Sequence, residues 1–177
     1  MNAELIALKA RLEKSGSITV ALTGMCMEPL LREGDEAFVR PQDKIGIGSI
    51  CAFQDADGSL NVHRVIAVDG TTVTLKGDKS NKREVVDRSH VLGVVGSVRL
   101  CGVQGWREMP AGPARRYISA QFSKRIYHDT AIVRSAPAAK AARLYRRFFR
   151  HALMAFNRQA RARMLNNPTG SSQPDFH

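Results

Sequence analysis

Between Ser17 and Leu100 the chain breaks into six short runs of strand-forming residues: SITVAL, EAFVR, SICAFQ, LNVHRVIAV, TVTLK and VVGSVRL. This texture constrains the fold more than any other feature, because β-branched and aromatic residues in runs this short, bounded by turn formers, read as strands. Asp57-Gly58 and Asp69-Gly70 each separate two consecutive runs. Glycine there supplies the positive φ of a tight hairpin without steric cost. Strands joined by such short turns pair antiparallel, since a parallel crossover needs about a dozen residues or more. The expectation is therefore mainly β: a small antiparallel β domain over residues 17–106, with no internal repeat.

The flanks read differently. Residues 2–14 place Leu5, Leu8 and Leu12 at helical spacing before Gly16, which predicts a short N-terminal helix within residues 1–16. After Trp106 a Pro/Gly break, MPAGPARR, leads into a basic and largely helical extension over 107–165. Its clearest part is 143–161. At 100° per residue, Arg143, Arg146, Arg147, Arg150, Arg158 and Arg161 share an arc of about 120°. Leu144, Tyr145, Phe148, Phe149, Ala152, Leu153, Ala155 and Phe156 fall roughly opposite, with Met154 out of place. Residues 166–177, ending NNPTGSSQPDFH, have the composition of a disordered tail.

The net charge of +11 belongs to one part of the chain. Residues 1–106 carry 13 basic and 13 acidic side chains, whereas residues 107–177 carry 14 basic and 3 acidic ones. Three readings suit the Arg-faced segment. Residues 139–165 can lie on an anionic membrane with the aromatic face dipped in. They can instead pack that face on the β domain or a partner. Binding to nucleic acid through clustered arginine is the least favoured of the three. No apolar run approaches the ~20 residues that span a bilayer, and the N-terminus lacks the apolar core of a secretory signal. Cys26, Cys51 and Cys101 are an odd count at wide spacing, which argues against a disulfide framework and a zinc site. His90, His128 and His151 show no ligand spacing, so neither a metal nor a cofactor is expected. A reduced, cytoplasmic setting fits, with a peripheral hold on the inner face of the membrane.

The candidate chemistry sits at the end of the first strand. There Gly24-Met25-Cys26-Met27-Glu28-Pro29 puts a small nucleophilic side chain on a tight turn. His63 follows 37 residues later inside Val62-His63-Arg64-Val65, and then comes Lys76-Gly77-Asp78. Thiol, imidazole and carboxylate on neighbouring elements make a nucleophile, a base and an orienting group.

The stretch from Gly24 to Asp35, of the form G-x-C-M-E-P-x-L-x-x-G-D, resembles the nucleophile segment of the signal peptidase I and LexA-like peptidase superfamily, with Cys26 where that family carries serine. Gly48-Ser49-Ile50 is similar to its next block, and Val62-His63-Arg64-Val65 to the block that supplies the general base. A histidine there resembles the Ser-His type of signal peptidase rather than the Lys type. Leu75-Lys76-Gly77-Asp78 and Gly93-Val94-Val95-Gly96 resemble the last two blocks, so the likeness spans residues 17–100.

The resemblance implies an endopeptidase that cuts a peptide or leader segment, with Cys26 as nucleophile, His63 as general base and the Cys26 N–H as one oxyanion donor. The family's orienting acid lies beyond K-G-D. Glu84 matches its position best, Asp78 is the motif acid and Asp87 is also near, which leaves the choice of carboxylate open. The hydroxyl that such enzymes often carry two residues before the nucleophile is replaced by Gly24. An inactive peptidase fold that binds an extended peptide is the alternative. A nucleic-acid regulator acting through the basic tail is the third. Asp35 reads as a turn acid, Met27 as packing, and Cys51 and Cys101 as buried strand residues.

Overall fold

The computed structural model describes residues 3–41, 45–110, 118–122 and 136–166. The tail 167–177 lies outside them. An N-terminal helix, Ala3–Ser15, ends at Gly16, whose φ of 68° turns the chain where a side chain would strain it. Leu12 is buried and Leu8 packs beside it, so these two leucines seat the helix on the sheet.

Eight strands follow among the described residues: β1 Ile18–Ala21, β2 Glu36–Arg40, β3 Ile50–Gln54, β4 Leu60–Asp69, β5 Thr72–Lys76, β6 Glu84–Asp87, β7 Val91–Arg99 and β8 Arg107–Glu108. They form one sheet in the order β1-β2-β7-β3-β4-β5-β6, with β8 on β7, and every pairing is antiparallel. All six sequence runs are strands, and both Asp-Gly pairs turn hairpins, with φ of 85° at Gly58 and 54° at Gly70. β6 and β8 were not expected. The sheet also runs past Trp106, since Arg107 pairs with Val98 and Met109 is buried in the core.

Alternation along the central strands divides the interior in two. Ile50 and Ala52 of β3 join Val20, Val39, Leu92 and Val98 in one cluster, whereas Cys51 and Phe53 join Val65, Val73, Leu75 and Val94 in another. At Gly93 the backbones of β2 and β7 come so close that a Cβ would lie 2.1 Å from the Arg40 carbonyl oxygen. Only glycine fits there.

A helix of 31 residues, Ala136–Asn166, closes the first cluster with Ala160 and Met164. Arg107 Nε donates to the Met164 carbonyl at 3.0 Å and caps the helix end. The docked face is not the one that the apolar pattern predicts. Leu153, Asn157, Ala160, Arg161 and Met164 are buried, while Leu144, Tyr145 and Phe148 stand 60%, 44% and 66% exposed. The arginine stripe is split as a result: Arg161 is buried against the β domain, while Arg143, Arg147 and Arg158 face solvent. Cys101 is a second correction. It follows β7 in a turn and is exposed, whereas Cys51 is buried as expected. Among the described residues no helix is long and apolar enough to cross a membrane.

Candidate active site

The turn that carries Cys26 spans the interval between β1 and β2. Leu22 and the 34–35 pair close its base: Leu22 N–H donates to the Asp35 carbonyl at 2.9 Å, and Gly34 N–H to the Leu22 carbonyl at 3.0 Å. Asp35 is fully buried at this closure. Its carboxylate accepts from the N–H of Arg32 at 2.8 Å and of Cys101 at 2.9 Å, so it is the turn acid that the sequence suggests. Met27 is buried as packing, Met25 is exposed, and Cys26 between them is partly exposed.

His63 lies on β4 opposite Cys51 and is 5% exposed, its ring tilted against Phe53. Nδ1 meets Glu84 Oε2 at 3.0 Å. The other ring nitrogen, Nε2, is buried without a conventional hydrogen-bond partner and faces the Cys26 side. Gly77 shows how closely these groups converge. A Cβ on it would lie 2.9 Å from Cys26 Cβ and 3.1 Å from His63 Nε2. The K-G-D turn is thus the wall on which thiol and imidazole meet. Lys79 fastens this wall to the nucleophile turn: its N–H donates to the Cys26 carbonyl at 2.8 Å and its Nζ pairs with Glu28 at 2.9 Å.

Burial opposes a charge on the His63 ring most strongly, but the Cys26 side chain and then Glu84 outweigh it and raise the pKa to about 9 from 6.5. Asp78, named with Glu84 as a candidate orienting acid, does not face His63. It is fully buried and accepts from Arg64 Nε at 2.8 Å and Nη2 at 2.7 Å, and from Asn157 Nδ2 at 2.7 Å. Strand geometry explains the split. His63 and Arg64 are adjacent on β4 and point to opposite faces, so the carboxylate that binds one cannot bind the other. Asp87 is the N-cap of the 3-10 turn Arg88–His90 and binds the Ser89 N–H.

Lys76, the K of K-G-D, is fully buried, and its Nζ donates to the Gly77 carbonyl at 2.9 Å. Desolvation lowers its pKa to about 8, with Asp78 opposing the fall. Two residues at the site's back, Asn157 and Arg161, carried no signal in the sequence beyond their place on a helix. No group of three His, Cys, Asp or Glu side chains among the described residues is arranged to hold a metal ion.

A thiol, an imidazole and a carboxylate are thus brought together on an antiparallel β domain. A family model described as Peptidase S24-like matches residues 3–99, more than half of the chain, and the chain belongs to that family. The match takes in the N-terminal helix and β1–β7 and ends before β8 and the long helix. No curated protein matches the chain.

Proposed function

We propose that the protein is a cysteine endopeptidase that cleaves a peptide or leader segment, with Cys26 as nucleophile, His63 as proton carrier and Glu84 as the group that orients it. The meeting of Cys26 and His63 at Gly77, with Glu84 on the other nitrogen of the ring, carries the reading. In the proposed cycle the reacting pair is a thiolate on Cys26 beside an imidazolium on His63, whose raised pKa Cys26 and Glu84 support. The thiolate sulfur bonds to the scissile carbonyl carbon, and the oxyanion formed is met by the Cys26 N–H. His63 gives its Nε2 proton to the departing amine as the C–N bond breaks, which leaves a thioester on Cys26. Water then attacks the thioester. The ring takes its proton and the sulfur leaves as thiolate, which restores the pair. A cleft of mixed lining, with Val20, Leu22, Leu31 and Val62 beside Thr23, Arg32 and Asn61, adjoins Cys26 and offers room for a substrate side chain.

The test is alkylation of Cys26 by a small thiol reagent near neutral pH, followed residue by residue by mass. Cys26 is expected to react at least about tenfold faster than in His63→Ala, because the imidazolium supports the thiolate. Slow labelling that is indifferent to His63→Ala would sink the reading.

A second observation bears on where such an enzyme works. Leu144, Tyr145 and Phe148 project from one end of the long helix among Arg143, Arg147 and Arg150. Apolar tips within a basic surface suit the headgroup region of an anionic bilayer. The docked half of the helix, Leu153 to Met164, is not available for this contact. Vesicles rich in anionic lipid are expected to sediment the protein, and Phe148→Ser with Leu144→Ser to release it. Equal sedimentation with neutral vesicles, or none with either, would refute membrane attachment.

A further inference from the structure

The long helix reaches the two segments that carry the proposed chemistry, and does so with polar side chains one turn apart. Arg161 Nη1 donates to the Leu30 carbonyl at 3.0 Å and to Asp35 Oδ2 at 2.6 Å, and Nη2 to Asp35 Oδ1 at 3.1 Å. Leu30 and Asp35 belong to the turn that holds Cys26. Asn157 Nδ2 donates to Asp78 Oδ2 at 2.7 Å, and Asp78 belongs to the turn in which Gly77 abuts both Cys26 and His63. The same turn takes hold of the Cys26 carbonyl through the Lys79 N–H. One face of one helix therefore ties both halves of the site.

The chemistry of these contacts argues against simple packing. Asn157 is 1% and Arg161 8% exposed, and their partners Asp78 and Asp35 are fully buried. Burying an ion pair of this kind contributes little net stability, and an apolar residue of similar volume often does as well or better. What a forked guanidinium on a carboxylate provides is a fixed relative position. Both residues also lie outside the 3–99 segment that matches the peptidase family. The β domain of this chain thus relies on an added helix to fix its loops.

We infer that Asn157 and Arg161 are positioning residues: they set the distance between Cys26 and His63 by anchoring the nucleophile turn and the K-G-D turn to one rigid helix. The inference rests on the peptidase reading above. A small displacement of either turn separates thiol from imidazole, and misplacement of this order in an active site costs up to about a hundredfold in rate.

The experiment uses the full chain with Cys101→Ser, which removes the exposed thiol, and follows Cys26 alkylation from pH 5 to 10. The variants compared are His63→Ala, Asn157→Ala, Arg161→Met and Arg161→Lys. Leu12→Ala is the control for lost stability, since it opens the core shared with the nucleophile turn but removes none of the hydrogen bonds that hold either turn. Asn157→Ala and Arg161→Met are expected to slow alkylation at pH 7 by about tenfold and to give the pH profile of His63→Ala. Arg161→Lys, which keeps the charge but not the fork, is expected to recover part of the rate. Leu12→Ala is expected to lower the unfolding temperature and leave the profile unchanged.

Parent-like profiles in Asn157→Ala and Arg161→Met overturn the inference, as does an equal change in Leu12→Ala. If Arg161→Met does not fold, Asn157→Ala decides alone, because it leaves Asp78 paired with Arg64. A parent-like profile in His63→Ala is a different result: it removes the Cys26–His63 coupling, and with it the peptidase reading itself.

Discussion

Glu84→Gln separates the orienting carboxylate from its neighbours. The amide keeps the shape and an oxygen acceptor for His63 Nδ1, but removes the charge that stands 3.0 Å from the ring. A hydrogen bond between charged partners is worth roughly 1.5–3 kcal/mol against about 1 kcal/mol for a neutral one. Glu84 is 28% exposed, so water screens part of the difference. About 1.4 kcal/mol remains, which is one pKa unit. The sign follows from the charge: losing the anion disfavours the imidazolium, so the His63 pKa falls from its raised value near 9 by about one unit. Ring-proton NMR titration of the intact chain measures this directly. Asp78→Asn is the contrast. It leaves the Arg64 guanidinium buried without its anion and is expected to cost about 3–5 kcal/mol of stability. Its effect on the His63 titration is expected to be the smaller of the two, because Asp78 is held on the other face of β4. If Asp78→Asn moves His63 as far as Glu84→Gln does, the assignment of the two carboxylates is wrong.

Gly77→Ala is expected to abolish activity while the chain still folds, since the new methyl falls 2.9 Å from Cys26 Cβ and 3.1 Å from His63 Nε2; parent-like Cys26 alkylation in a folded variant would refute the contact. His63 and Lys76 impose opposite trends on stability above neutral pH. The raised His63 pKa gives stability that is complete below 6.5 and lost as pH climbs through about 9, up to roughly 3 kcal/mol. The lowered Lys76 pKa gives a deficit below about 8 that is recovered as pH rises through 10.5, of similar size. Urea unfolding from pH 6 to 11 checks both: His63→Gln should remove the fall and Lys76→Met the rise. Asp35 is penalised first by burial, but Arg161 and the Cys101 and Arg32 N–H groups outweigh this and hold its carboxyl below the usual 3.8. Its stabilisation is therefore present above that pH and lost below it. Arg161→Met should move acid unfolding to higher pH, as followed by circular dichroism.

The β domain was legible because its signals are local. Alternating apolar runs and two Asp-Gly pairs place β1 to β5 to within a residue, and β7 without its first three residues. β6 was missed because its segment, KSNKREVVD, is charged and offers only Val85 and Val86, of which Val85 is 60% exposed. β8 is too short to show any periodicity. At the site, Cys26, His63 and Glu84 could be singled out by motif order, but the choice between Glu84 and Asp78 depends on the third dimension. One signal was available. Arg64 beside His63 must point to the opposite face, where a buried guanidinium requires an acid of its own. The helix shows the reverse weakness. Its apolar pattern describes the face richest in aromatic residues, whereas the docked face is chosen by partners distant in sequence: Asp78 is 79 residues from Asn157 and Asp35 is 126 from Arg161.

The division of charge takes on a different meaning once the helix is placed. A surplus of cations in residues 107–177 suggests a segment that seeks an anionic partner. Among the described residues several of those cations have found partners within the protein, Arg150 on the Asn81 side-chain oxygen among them. Arg161 is spent on Asp35 and the Leu30 carbonyl, and Arg107 on the helix end. The acids of the neutral half are divided in the same way: Asp35 and Asp78 face fixed guanidiniums, and Glu84 faces the one ring that exchanges protons in the proposed cycle. A carboxylate held by arginine supports a backbone, because arginine does not change charge in the accessible pH range. A carboxylate held by histidine shifts a titration. The function of each acid here is thus set by the cation opposite it, and the basic helix supplies one of those cations to a domain that would otherwise leave Asp35 buried without a counter-ion.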